Sequence, residues 1–170
     1  MLPRLIAVLR ICIGVVFLFL GVSALLDEQF LYGGLLLDLQ AKGSAYNFYQ
    51  RNVIDRYVLL HQTLFAYVVA IGEVLIGFSL LTGALVSWGA LGGAFLMLNL
   101  GLAISDGNPL QMVLHGFYAL VFLALARAAA GLKWGVDGWL AERIDERFLL
   151  FPFRLTVPSY MQDTQRTRGS

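Results

Sequence analysis

The stretch from Tyr57 to Ser105 reads YVLLHQTLFAYVVAIGEVLIGFSLLTGALVSWGALGGAFLMLNLGLAIS and carries Glu73 as its sole formal charge. As one helix its 49 residues would run roughly 74 Å, more than twice a hydrocarbon core of about 30 Å. It must therefore turn once. The break falls between Thr82-Gly83 and Ser87-Trp88-Gly89, which predicts spans over Tyr57 to Leu81 and Leu85 to Ser105. Working outward, Leu5 to Leu26 is a further apolar run with Arg10 as its only formal charge. On the other side, Asp106-Gly107-Asn108-Pro109 is a turn that places Pro109 in the first turn of a fourth span, Leu110 to about Ala130.

Composition agrees with this pattern. Of 170 residues, 59% are hydrophobic and 14% charged, where soluble domains have about half and a quarter, and the mean hydropathy is +0.75. A net charge of +1 gives no electrostatic footprint for nucleic acid. The single Cys12 excludes a disulfide framework or an all-thiolate metal site within the chain, so redox chemistry would need a cofactor or partner. Leu5 to Leu26 is longer than a signal-peptide core, and Asp27-Glu28 stand where a small-residue cleavage motif would be, so an uncleaved first span is expected. Arg4, Arg10, Arg127, Lys133, Arg143 and Arg147 cluster toward the side of the termini, against Lys42, Arg51 and Arg56 in the first loop and none in the Asp106 turn. Both termini are then cytoplasmic, with the chain multi-pass in a bacterial inner membrane.

The first loop, Asp27 to Arg56, is too apolar for a free linker. Its Phe30 to Leu39 segment, FLYGGLLLDL, is too short to span and is expected to lie in the interface or to pack over the bundle mouth. Ser44 is expected to cap a helix that starts at Ala45 and runs into the second span. After Ala130, Leu140, Ile144, Phe148 and Phe151 make one apolar face opposite Glu142, Arg143, Asp145 and Glu146, with Asp137 as the cap. That amphipathic helix would lie on the membrane surface or dock on a neighbouring subunit. The organisation expected is a membrane domain over 1–130, a cytoplasmic amphipathic segment over 131–155 and a disordered tail over 156–170. The fold class is an all-α, up-down four-helix membrane bundle with an interfacial segment in the first loop and a C-terminal surface helix.

Small residues Gly14 and Gly21 in the first span, and Gly89, Ala90, Gly93 and Ala94 in the third, allow close helix approach. Glu73 is the intramembrane residue that needs explaining, since an unpaired carboxylate there is costly. Counted from the cytoplasmic ends of their spans, Arg10 and Glu73 both lie roughly 9 to 12 Å deep, which makes a buried Arg10–Glu73 ion pair one reading. The other gives Glu73 a proton-handling or quinone-contacting role, as the candidate for a catalytic residue. In the outer half, His61, Gln62, Asn99 and His115 are candidates to ring one cavity. Two imidazoles and two amides suit hydrogen bonding to a quinone carbonyl or lipid headgroup, and imidazoles from two helices also hold a b-type haem. The alternative is a set of structural histidines satisfied within the bundle. No metal site is expected.

The order of elements, from RLIAVLRICIGVVFLFLGVSAL through a long loop to HQTLFAYVVAIGEVLIGFSLLTGALVSWGALGGAFLMLNL, resembles the DoxX family of small four-helix membrane proteins. Gly72-Glu73, then Gly77 and Leu80-Leu81-Thr82-Gly83, are the most telling part, and the resemblance covers roughly residues 4 to 130. It implies that Arg10 and Glu73 match the family's first-span Arg and second-span Glu. It also implies either of two functions. One is the membrane subunit of a quinone-linked redox complex, of the DoxD type in thiosulfate:quinone oxidoreductase. The other is a non-catalytic accessory or assembly subunit of a respiratory or photosynthetic complex, holding lipids or pigments. Both need partner subunits, membrane or peripheral, and a lipid bilayer.

Overall fold

The computed structural model describes residues 2–128, 130–132, 134–141, 143 and 149, with side chains from Arg4 onward. Among them there are helices and no strands. Helix α1 is Leu2–Leu26, α2 Leu35–Lys42, α3 Asn47–Tyr49, α4 Gln62–Thr82, α5 Val86–Ile104, α6 Pro109–Arg127 and α7 Asp137–Leu140. Four of these, α1, α4, α5 and α6, are long and apolar enough to cross a membrane.

The turns fall where the sequence places them, for local reasons. Gly83 ends α4 in the left-handed conformation (φ 74°), its N–H bonding the Ser79 carbonyl at 2.9 Å. The Asn108 side chain accepts from the Gln111 N–H at the start of α6, with Pro109 in the first turn. The second span differs from expectation in its start. Residues Gln50–Val58 are wound in wider π-type turns, and the backbone breaks at His61 (φ −133°, ψ 43°), so α4 begins at Gln62 and not near Tyr57.

Consecutive spans pack antiparallel through small residues. A Cβ on Gly14 would strike the backbone of Gly77 and Leu81, and one on Gly21 would strike Ala70 and Val74, which fixes the register of α1 on α4. Gly89 of α5 sits against Ser79 of α4, while Gly93 and Gly101 sit against Phe122 and His115 of α6. The Phe17 and Phe122 rings meet edge to face, 5.2 Å between centroids, and join α1 to α6 in a core with Leu80, Val86 and Leu125.

At one end, hereafter the loop face, Leu31, Leu35, Leu36, Ile54 and Val58 pack on Ala66, Ala103 and Ile104. The first loop thus covers the bundle mouth. Gly33 makes this possible by taking φ 123° within Phe30–Gly34, two residues before α2. Ser44 does not cap a helix. Its carbonyl accepts from the Asp106 N–H (2.9 Å) and its hydroxyl donates to the Asp106 carbonyl (3.2 Å), tying the first loop to the α5–α6 turn.

At the opposite end, the terminal face, the segment after α6 folds over the α4–α5 turn. The N–H groups of Val136 and Asp137 donate to the Thr82 and Gly83 carbonyls at 3.2 and 2.8 Å. Asp137 also departs from its expected role. It is 3% exposed, and its carboxylate accepts from the N–H groups of Leu85 (2.6 Å) and Val86 (3.0 Å), so it caps α5 from more than fifty residues away. The amphipathic face expected from Leu140 to Phe151 falls mostly outside the described residues, and the 156–170 tail falls wholly outside them.

Candidate functional site

A half-open cleft of about 1360 Å³ runs along the helices, with walls from α1, the first loop, α4, α5 and α6, and several wall residues such as Leu75 and Phe95 are largely exposed. Pockets for drug-sized ligands measure about 300–1,000 Å³, so this space suits something of lipid dimensions. Its walls are mostly aliphatic and aromatic; its charged groups and a Tyr–Asn pair lie together, Asp38 and Lys42 of α2, Tyr49 of α3, Glu73 of α4 and Asn99 of α5, while Cys12, Ser79, Trp88 and Tyr118 also line it.

Each member is placed by the fold around it. Asp38 and Lys42 are four apart on α2 and form an ion pair at 2.5 Å, each side chain about half exposed. The Tyr49 hydroxyl donates to Asn99 Oδ1 at 2.9 Å, and Asn99 Nδ2 donates to the Phe95 carbonyl at 2.8 Å, so this pair is locked. Burial pushes the Tyr49 phenol up and keeps it neutral. Glu73 is half-buried and lies within electrostatic range of Lys42 and Asp38. Among the described residues its carboxylate makes no hydrogen bond or ion pair. The contacts of Gly89 on Ser79 and Gly92 on Ile76 set Glu73 opposite Phe95, so Asn99 lies one turn, about 6 Å, nearer the loop face.

The expected Arg10–Glu73 pair is not formed. With Gly14 opposite residues 77–81, Arg10 falls opposite Gly83, ten residues or about 15 Å along α4 from Glu73. Arg10 is 0% exposed, and its guanidinium donates to the carbonyls of Ala130 (3.0 Å) and Trp134 (3.1 Å) beside Asp137. Burial pushes the Asp137 carboxyl up, while the Val86 and Leu85 N–H groups and Arg10 oppose that rise. The depth argument counted from the ends of the apolar runs, but small-residue contacts set the register. Glu73→Gln removes a half-buried charge without orphaning Arg10, so the variant should unfold in detergent within about 1 kcal/mol of the parent, since no paired charge is broken. A loss of 3 kcal/mol or more would show that Glu73 is held by a cation after all.

The four outer-half candidates are not brought around one cavity. Asn99 lines it, but His61, Gln62 and His115 do not. His61 is exposed at the break before α4, and Gln62 Nε2 donates to the Leu59 carbonyl at 3.4 Å. His115 Nδ1 lies 2.8 Å from the Gln111 carbonyl, and the side chain packs on Gly101. Among the described residues, no group of three His, Cys, Asp or Glu is arranged to hold a metal. The residues missed from the sequence are Asp38, Lys42 and Tyr49. The i, i+4 spacing of Asp38 and Lys42 was a visible signal of a helix, but not of which way that helix points.

A family model described as DoxX matches residues 5–105. None of the curated proteins and none of the solved structures matches the chain.

Proposed function

Because the chain belongs to the DoxX family, we propose that this multi-pass membrane protein is a small subunit of a quinone-linked redox complex, of the thiosulfate:quinone oxidoreductase DoxD type. The observation that carries this reading is the lipid-sized, mostly apolar cleft whose charged groups are gathered toward one end. In this reading the four spans form an up-down bundle in a bacterial inner membrane, with both termini cytoplasmic and the loop face outward. Reduction of a quinone takes up two electrons and two protons. The electrons come from a partner polypeptide that oxidises the sulfur substrate, and Glu73 is the group in the cavity available to pass protons.

Gly72 supplies the test. It lines the cavity, and a Cβ there meets nothing within 4 Å, so a larger side chain enters open space without disturbing the backbone. The full chain, extracted from native membranes with its partners, should carry extractable quinone. Gly72→Leu should lower that content about tenfold or more, as filling a ligand's space does, with unchanged unfolding. Full quinone content in the variant would sink the cavity as the site.

A second reading, the accessory subunit, is supported by a different feature. Trp134, Val136 and Trp139 are exposed together at the terminal face, with the Arg143 guanidinium 3.8 Å from the Trp139 ring centroid. Aromatic and Arg side chains are the residue types enriched at protein contacts.

A further inference from the structure

The cavity is polarised from end to end, and we infer that it holds a polyprenyl-type quinone in one orientation: ring toward the loop face between Glu73, Lys42 and the Tyr49–Asn99 pair, tail toward Trp88 and Leu85. The inference rests on the quinone reading above and adds the direction of the ligand and the residues that meet its ring.

Length comes first. From Leu85 to Ala103, both in the wall, α5 rises about 27 Å, most of a hydrocarbon core of about 30 Å. A ligand that fills this space must therefore be elongated. Polarity then decides which end takes the ring. Every charged wall residue, and the Tyr49–Asn99 pair, lies at the level of Glu73 or nearer the loop face. Toward the terminal face the wall includes Ile13, Ile76, Phe78, Leu85 and Phe122. The hydroxyl there, on Ser79, is already spent on the carbonyls of Ala84 (2.7 Å) and Leu85 (3.1 Å). A ring with two oxygens placed at that end would meet at most the Trp88 indole N–H and the weak Cys12 S–H, against the charged groups and the Tyr49–Asn99 pair at the other, whereas an isoprenoid tail loses nothing there.

The loop-side groups also suit both oxidation states. A quinone oxygen only accepts, and the Lys42 ammonium has protons beyond the one given to Asp38. A quinol hydroxyl donates, and Glu73 is an open acceptor. The orienting role expected of His61 and His115 thus passes to Lys42, Tyr49 and Asn99.

The test uses two photoreactive quinones, one labelled on the ring and one at the end of the tail, with the full chain in lipid nanodiscs and labelled positions mapped by mass spectrometry. The ring probe should label residues 38–49, 69–76 or 95–99, the tail probe residues 84–89, and excess unlabelled quinone should suppress both. Ring labelling at 84–89 would overturn the orientation while leaving the quinone reading standing. Labelling from neither probe that excess quinone suppresses would overturn both. Lys42→Met, at a half-exposed position that the core does not need, should weaken ring-probe labelling about tenfold, the scale of one lost hydrogen bond to a charged group. Unchanged ring labelling in that variant would overturn the assignment of Lys42 to the ring.

Discussion

Arg10→Met should destabilise the folded chain by about 2–5 kcal/mol, because it leaves two buried carbonyls without their donor at about 1–3 kcal/mol each. Arg10 is fully buried and donates to the Ala130 and Trp134 carbonyls, close to an Asp137 that is itself almost fully buried. Methionine fills much of the volume but leaves both carbonyls without that donor and Asp137 without its cation. The site is built tightly around the guanidinium. A Cβ on Gly83 or Gly135 would strike its Nη1, and one on Gly131 would strike the Asp137 carboxylate. Asp137 in turn holds the first two N–H groups at the α5 start, so the damage reaches the α4–α5 turn. Denaturant unfolding of the full chain in mixed micelles reads the loss. Because Arg10 and Asp137 attract each other electrostatically, Arg10→Met in an Asp137→Asn background should lose less than in the parent, since the asparagine keeps an acceptor and no charge. Additive losses would show that Arg10 and Asp137 are independent.

The same seam shows what the sequence could and could not disclose. Apolar run lengths and the Gly83 and Asp106–Pro109 turns were enough to place four spans, because a bilayer admits few alternatives. Run ends do not set how far one helix slides along another, since tilt and snorkelling absorb several residues of mismatch. That slack is why equal depths suggested Arg10 opposite Glu73. The register is written in Gly14, Gly21 and Gly77, visible as small residues, but a single sequence does not say which small residue meets which. Asp137 looked like a cap for the helix that follows it, because capping signals are local and its use at Leu85 and Val86 is not. The cavity's polar set escaped for a similar reason. Asp38, Lys42 and Tyr49 sit in a loop whose tuck over the mouth depends on the Gly33 turn and the Ser44–Asp106 tie, both tertiary events.

If small residues fix the register, then Gly77→Leu should be among the most damaging single changes in the chain. A Cβ at Gly77 would strike the backbone of Leu18 and the Gly14 carbonyl, and the facing Gly14 would itself strike Gly77 and Leu81. Neither obstacle is a flexible side chain that can swing away. Leucine must therefore push α1 off α4 along the crossing. In lipid no hydrophobic drive restores the contact, because tails are as apolar as the helix surface and association depends on close packing. Overpacking typically destabilises by about 1–3 kcal/mol and occasionally more; with rigid backbone on both sides, about 3 kcal/mol or above is expected here. Gly116→Ala is the control. It is a mid-helix glycine in α6 with nothing within 4 Å of an added Cβ, so the change should be neutral or stabilise by about 0.5–1 kcal/mol through helix propensity alone. If Gly77→Leu unfolds in mixed micelles at the parent's midpoint, the α1–α4 crossing is not set by this contact. The register that separates Arg10 from Glu73 would then need another cause.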